Sequence, residues 1–263
     1  MRYSIRLSYN GGAFRGWQIQ PNGVTVQESL QKALSLATGE EITVTGAGRT
    51  DTGVNAVNYI AHFDVESPLP AKPEALVYKI NAILGKEIIV HEIAPAEEDF
   101  HARFSAVSRE YKYFLHRKKD PFAGGFSWYC RYSLDIAAMN KAAGSLLGTH
   151  DFSCFEKKGG NNKTSVCTVY RAVWENYVPD HVSLLGYPCE EGDYLVFTIR
   201  ADRFLRNMVR AIVGSLTDVG RGKHDPEWLA SLIGTASRSD AGESVPAHAL
   251  FLSGIRYGTE IDR

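Results

Sequence analysis

Cysteine is scarce and unpatterned in this 263-residue chain: the four, at positions 130, 154, 167 and 189, show no Cys-x-x-Cys spacing and no nearby paired histidines. That argues against a metal centre of the zinc type and against a disulfide framework, and leaves reduced, structural thiols as the expectation. Net charge is equally scant. With 29 Lys and Arg against 30 Asp and Glu the formal charge is −1, so no global field draws a polyanion and any nucleic-acid site has to be a local basic patch. No apolar run is long enough to span a bilayer, and Met1 leads into alternating polar and apolar residues rather than an apolar signal region. The expected compartment is the cytoplasm, with no membrane partner. Also missing are a Gly-x-Ser-x-Gly elbow, a phosphate-cradling glycine loop ahead of a helix, and any low-complexity tract or short-period repeat.

What is present is an ordinary globular composition, 44% hydrophobic and 22% charged, long enough for one sizeable core or two smaller cores flanking a cleft. Tyr3, Ile5, Leu7 and Tyr9 alternate with polar residues, which predicts a half-buried strand ended by Asn10-Gly11-Gly12. After a loop containing Phe14, Arg15 and Trp17, Thr25 and Glu28 form a capping box. Val26, Leu30, Ala33, Leu34 and Ala37 then recur at helical spacing up to Gly39. Ile42 to Ala47 reads as a second strand, and Val57, Tyr59, Ala61, Phe63 and Val65 alternate as a third. A helix starting near Pro73, with Leu76, Ile80, Ile83 and Leu84 on one face and Gly85 as its stop, leads to a strand around Ile88 to Val90. The order β-α-β-β-α-β predicts a ferredoxin-like domain over residues 1–105.

Residues 106–263 predict a second α+β domain. Its elements are a strand through Tyr111, Tyr113 and Leu115, a helix from Ile136 closed by Gly148, strands over 165–177 and 193–201, an amphipathic helix carrying Leu205 to Leu216, a short helix after Asp225-Pro226 and a closing strand over 249–257. Lys157 to Lys163 is a polar, basic loop expected to be mobile. The fold class expected for the whole is α+β, with two ferredoxin-like (RRM-like) halves whose mixed, mainly antiparallel sheets flank a central catalytic cleft.

Positive charge is segregated in two segments. Residues 109–119 hold five Lys or Arg, including Lys112, Arg117 and Lys118, against one Glu. Residues 200–223 hold six against Asp202 and Asp218. Arg203, Arg206 and Arg210 fall at i, i+3 and i+7, which predicts one stripe on a helix. Such a stripe is either a solvated flank or a grip on phosphates that weakens with salt. The Tyr111-Lys112-Tyr113 alternation is either core or a platform on which a base can stack.

Between the second and third strands, Gly46-Ala47-Gly48-Arg49-Thr50-Asp51-Thr52-Gly53-Val54-Asn55-Ala56 concentrates glycine with one carboxylate and one guanidinium. Glycine there allows positive φ or close approach of a ligand, and Asp51 and Arg49 are the reactive side chains on offer. By itself Asp51 could be no more than the cap of a turn. Asp-Thr-Gly also occurs in aspartic proteases, which need two such carboxylates sharing a proton; no second copy exists here, so only a symmetric dimer could supply it.

Taken in order, Tyr9-Asn10-Gly11, Gly16-Trp17-Gln18, Thr25-Val26-Gln27, Gly48 to Val54, Phe100-His101-Ala102-Arg103-Phe104-Ser105-Ala106, Arg109-Glu110-Tyr111-Lys112-Tyr113 and Phe204 to Arg210 make the chain resemble the TruA family of tRNA pseudouridine synthases over nearly its whole length. The resemblance implies a cofactor-independent isomerase, acting as a homodimer, that detaches uracil from its ribose and rejoins it through carbon 5 at tRNA positions 38 to 40. It implies that Asp51 is the nucleophile, attacking the sugar or assisting a glycal intermediate. Tyr111 becomes the ring that stacks on the target uracil, Arg210 the basic partner of the aspartate, and Arg49 the arginine that holds the nucleotide out of its stack. Arg15, Lys112, Arg117, Lys118, Arg203 and Arg206 become the RNA-binding candidates. The physics agrees with such roles: a guanidinium within ~4 to 6 Å keeps a desolvated carboxylate ionised, and a stacked uridine has to be flipped out to be reached. Two positions depart from the family's pattern, Asn55 for histidine and Asn10 for aspartate, with consequences expected for loop packing and RNA fit. The competing class, a non-catalytic RNA-binding module or tRNA chaperone, predicts that Asp51 is dispensable.

Overall fold

A computed structural model describes residues 1–157, 159, 163–235 and 237–258. The first strand, β1 (Arg2–Tyr9), follows its sequence pattern, with Ile5, Leu7 and Tyr9 buried. α1 (Val26–Thr38) starts where Thr25 Oγ1 accepts the Glu28 N–H at 3.3 Å and ends at Gly39, whose φ of 84° suits a residue without Cβ. Only half of the expected capping box forms, since the Glu28 carboxylate is drawn to Lys32 Nζ at 2.6 Å. β2 (Val44–Gly46), β3 (Asn55–Asp64), α2 (Pro73–Ile83) and β4 (Ile88–Pro95) follow. α2 buries Leu76 and Ile80 but leaves Ile83 exposed, and it stops at Leu84 rather than at Gly85.

β1 lies between β3 and β4, and β2 pairs with the far side of β3, all antiparallel: the order is β4-β1-β3-β2. The register between β1 and β3 slips between Leu7 and Tyr9, which inserts an extra residue on β3 near Asn58, at φ 56°. The slip reverses the alternation, so Val57, expected inside, is 42% exposed while Ala56 is buried.

The second group of elements is β5 (Ala106–His116), β6 (Trp128–Tyr129), α3 (Ile136–Gly144), β7 (Gly148–Asp151), β8 (Val166–Asn176), α4 (Asp180–Leu185), β9 (Tyr194–Ala201), α5 (Met208–Gly220), α6 (Glu227–Leu232) and β10 (Leu250–Tyr257). β5, β9, β8 and β7 pair in that order, all antiparallel, while β6 adds to β5 in parallel. α3 ends at Gly144, four residues before the expected stop, and Gly148, at φ 96°, opens β7 instead. β6, β7 and α4 are too short or too irregular to show as periodic patterns.

α5 departs most from its sequence expectation. It begins at Met208, because Asn207 takes a left-handed φ of 65°, so Arg203 and Arg206 precede the helix and the expected arginine stripe does not form. Nor is α5 one-sided: eleven of its thirteen residues are buried. Gly214 lets the segment around Glu243 lie directly on it, since a Cβ there would meet the Glu243 carbonyl oxygen at 1.8 Å.

The chain divides into two compact units, Met1–Ser108 with the residues from Phe251 onward, and Arg109–Leu250. β10 belongs to the first, where Phe251 and Leu252 pair in parallel with Asn55 and Ala56 of β3. The second domain expected over 106–263 therefore loses its last strand to the first unit. The whole is a mixed α/β structure with ten largely antiparallel strands among the described residues. No helix of the described residues is long and apolar enough to cross a membrane, and no group of three or more of their His, Cys, Asp or Glu side chains could hold a metal ion. Lys158, Gly160, Asn161 and Asn162, most of the loop expected to be mobile, lie outside the described residues.

Candidate active site

In the first unit the loop joining β2 to β3 rests on three aromatic rings packed against one another at tilted and edge-on angles. Trp17 and Tyr59 lie 4.2 Å apart by centroid, and Tyr9 sits 5.6 Å from Tyr59 and 6.1 Å from Trp17. Tyr59 is fully buried, and its phenol bonds the Gly48 carbonyl while accepting the Gly48 N–H at 3.3 Å. Thr50 is buried next to the loop's Asp51, its Oγ1 2.9 Å from the Tyr9 hydroxyl and its carbonyl accepting the Trp17 N–H at 3.2 Å. The Val54 N–H bonds the Asp51 carbonyl at 3.1 Å, closing a turn in which Gly53 takes φ 80°. Asp51 is thus half-buried on a backbone held at both flanks, and Arg49 is exposed. Gly46 is needed for close approach, since its Cβ would overlap Tyr59 and Trp17, whereas a Cβ on Gly48 meets open space.

Asn55 and Asn10 both bond backbone N–H groups here. Asn55 Oδ1 accepts the Gly11 N–H at 2.9 Å in a buried position, and Asn10 Oδ1 accepts the Gly12 N–H at 3.0 Å. Together they fix the turn after β1, which is pressed so closely to the loop that a Cβ on Gly11 would sit 2.0 Å from the Val54 carbonyl oxygen. Asn55 and Asn10 are visible in the sequence as positions of loop packing, whereas the partner each one bonds is set by the fold.

The Phe100 to Ser105 motif forms a tight turn in the same unit. Its Ala102 N–H donates to His62 Nδ1 at 3.1 Å, so that nitrogen must be unprotonated. Burial, then the charges of Arg2 and His101, push the His62 pKa down to about 4 from an ordinary 6.5. Above pH 6.5 the imidazole is neutral in both folded and unfolded chains. Between about 6.5 and 4 only the unfolded chain takes the proton, so stability should fall with pH across that window, by ~2–3 kcal/mol from this residue. Denaturant unfolding of wild type and His62→Gln at pH 7 and pH 5 checks this. The loss should shrink in the variant; an identical loss in both would place its origin elsewhere.

In the second unit β5 carries Tyr111 half-buried, its ring edge-on to Phe204 at 5.0 Å. The neighbouring ring of Tyr113 is wholly buried, with its hydroxyl donated to the Pro246 carbonyl at 3.1 Å. Burial raises the Tyr113 pKa, and the positive charge of Arg210 opposes that rise. Of the Tyr-Lys-Tyr pair of rings, then, only Tyr111 remains open to a ligand.

Arg210 stands in the first turn of α5, and its Nε donates to the Val245 carbonyl at 2.7 Å. That carbonyl is itself positioned: Asn207 Nδ2 and Arg238 Nη2 both bond Ser244 Oγ, at 2.6 and 2.8 Å, and the Val245 N–H returns to the Arg210 carbonyl at 3.3 Å. One edge of the guanidinium is used for orientation. Arg210→Lys should therefore lower turnover at least ~10-fold with tRNA affinity changed less than ~3-fold, because an ammonium cannot serve both the carbonyl and a second acceptor in a fixed plane. Turnover near wild type would show that the fork is not needed.

The remaining basic candidates fall in both units, Arg15 in the first and the others in the second. Arg15 and Arg206 are exposed, Lys112 is half-buried, and Lys118 Nζ donates to the Pro188 carbonyl at 3.3 Å. Arg117 is half-buried with an Nε that finds no hydrogen-bond partner among the described residues. Arg203 Nη2 donates to the Thr164 carbonyl at 2.9 Å. Arg203 and Arg206 lie ahead of α5, so they do not share with Arg210 the helical row that the i, i+3, i+7 spacing predicts.

A sequence profile of the tRNA pseudouridine synthase family matches residues 142–258. Over nearly full length the chain is 46% identical to tRNA pseudouridine synthase A of Parabacteroides distasonis, covering 99% of this chain and 97% of the relative. It is 42% identical to the protein of that name from Bacteroides fragilis, at 99% and 98% coverage, and 39% identical to that from Thermoanaerobacter pseudethanolicus, at 96% and 98%. The chain belongs to the TruA family of tRNA pseudouridine synthases, which are isomerases. The protease that Asp-Thr-Gly alone would suggest is not the family to which the chain belongs.

Proposed function

We propose that this protein converts uridine to pseudouridine in the anticodon arm of tRNA, at one or more of positions 38 to 40. The reading is carried by one observation: Asp51 is presented on a loop whose backbone is fixed by Tyr9, Trp17 and Tyr59, within a chain 46% identical to a tRNA pseudouridine synthase A. The reaction breaks the N1–C1′ bond and makes a C5–C1′ bond; carbon 5 gives up a proton and N1 gains one. Nothing is oxidised or reduced, so no cofactor is required.

In this reading Asp51 acts on the ribose, either by attack at C1′ or by assisting loss of a neighbouring proton toward a glycal. Arg210 supplies the guanidinium that keeps a carboxylate ionised once RNA displaces water. Tyr111 receives the face of the extruded uracil, and Arg49 fills the place the base leaves. Arg15, Lys112, Arg117, Lys118, Arg203 and Arg206 contribute charge to phosphate contacts. The protein acts as a homodimer in the cytoplasm. Both units are read as variants of a ferredoxin-like plan: the β4-β1-β3-β2 order and two helices support this for the first. The β5-β9-β8-β7 order supports only a looser kinship for the second.

Incubation with tRNA carrying tritium at carbon 5 of uridine tests the proposal. Tritium should appear in solvent without any added cofactor, at a yield matching the pseudouridine formed. Tight tRNA binding without tritium release would favour the chaperone reading.

A further inference from the structure

The Phe100–Ser105 turn holds a side chain that the chemistry above does not use. Phe104 is 74% exposed. Its ring lies 4.3 Å from that of His101, tilted by 36°, and the Arg103 guanidinium sits over it at 5.4 Å from the centroid. The backbone beneath is tied at several points. His101 Nδ1 accepts the N–H groups of both Arg103 and Phe104 at 3.2 Å, Ser105 Oγ accepts the His101 N–H at 2.9 Å, and the His101 carbonyl accepts the Ser105 N–H at 2.9 Å. Tyr257 donates its hydroxyl to the Ala102 carbonyl at 2.7 Å, and Arg2 Nη1 reaches the Phe100 carbonyl at 2.9 Å. A turn so tied costs little to order on binding, yet it spends those bonds on displaying an aromatic face and a cation to solvent.

We propose that this turn is a second nucleic-acid grip, in which Phe104 stacks on an unpaired base of the substrate RNA and Arg103 meets a flanking phosphate. It rests on the reading of the protein as a tRNA-modifying enzyme. A flat, polarisable ring with a guanidinium beside it suits a nucleotide, which offers a π-face and an anion a few ångströms apart. An apolar protein partner would instead favour aliphatic display, as at Leu184 and Leu185 of α4, both 79% exposed. The anticodon arm ends in a loop, where unpaired bases can be splayed onto such a ring.

The test measures binding of an unmodified tRNA transcript by fluorescence anisotropy, with the full chain in an Asp51→Ala background so that no turnover intervenes. Phe104→Ala should raise Kd by about 5- to 50-fold, Phe104→Leu should remain weak, and Phe104→Trp should return to within ~2-fold of the parent. Arg103→Gln should reduce the slope of log K against log salt by about one. The thermal midpoint of Phe104→Ala should stay within ~2 °C, as expected for a ring that is largely solvated. An unchanged Kd in Phe104→Ala, or full recovery by Phe104→Leu, would overturn the proposal. So would a change of sedimentation in the RNA-free protein with Kd unaltered, which would make the turn a contact between copies. Because binding is read without chemistry, failure of wild type to form pseudouridine sinks the enzymatic reading alone. Normal pseudouridine formation with an indifferent Phe104 sinks this one alone.

Discussion

Asp51→Ala should abolish tritium release from C5-labelled tRNA, lowering turnover by at least ~10⁴-fold, a loss typical of removing a nucleophile that splits one hard step into two. Affinity for tRNA should change by less than ~3-fold. The separation follows from how the loop is built. Its conformation depends on the Asp51 carbonyl accepting Val54 N–H, on the Thr50 carbonyl accepting Trp17 N–H, and on the Gly48 peptide bonded to Tyr59. None of these uses the carboxylate. Asp51→Asn keeps size and polarity but removes the charge, and it should be as inactive as alanine. Filter binding and single-turnover kinetics on the same preparations distinguish lost chemistry from lost binding. Activity within tenfold of wild type in either variant would mean that the carboxylate does not act on the sugar.

The second large effect is on stability. Gly46→Ala should cost about 2–4 kcal/mol and lower the melting temperature by roughly 5–15 °C, because overpacking a closed site forces buried groups apart. The added Cβ would lie 2.2 Å from the Tyr59 hydroxyl oxygen and 2.6 Å from two Trp17 ring carbons. Neither ring can yield easily: Trp17 is 3% exposed and Tyr59 0%, and each packs on the other and on Tyr9. Gly48→Ala, two residues on, is the internal control. Its Cβ meets nothing within 4 Å, so its melting temperature should stay within ~3 °C of wild type. Thermal unfolding of the pair, with activity of the survivor, checks the argument. Equal midpoints would show that the aromatic base relaxes around a methyl group.

Local patterns carried the regular elements. β1 and α1 follow periodicities and caps written within a few residues of each other, and such signals survive folding because one face of each element meets the core, whereas β9 buries Tyr194 and Thr198 on one face and Leu195, Phe197 and Ile199 on the other. Features set by distant partners did not show. The extra residue on β3 near Asn58 depends on pairing with β1, so Val57 looked like a core position until the register was known. Asn207 sat inside an apolar repeat that suits a helix, and only its left-handed φ reveals that α5 starts after it. The burial of α5 on most sides depends on the segment 242–245 crossing it, which no periodicity encodes. At the site the same division holds. The glycine-rich loop marked Asp51 and Arg49, whereas the rings beneath it, the Asn55 bond to Gly11 and the Val245 carbonyl that orients Arg210 came only with the fold.

The most direct measurement is to incubate the purified protein with an unmodified tRNA transcript, without cofactor, and map pseudouridine at single-nucleotide resolution by carbodiimide derivatisation and primer extension. Modification should be confined to positions 38 to 40 of the anticodon arm and absent with Asp51→Ala. Pseudouridine only outside that arm, or none from folded protein that binds the transcript, would contradict the proposed function.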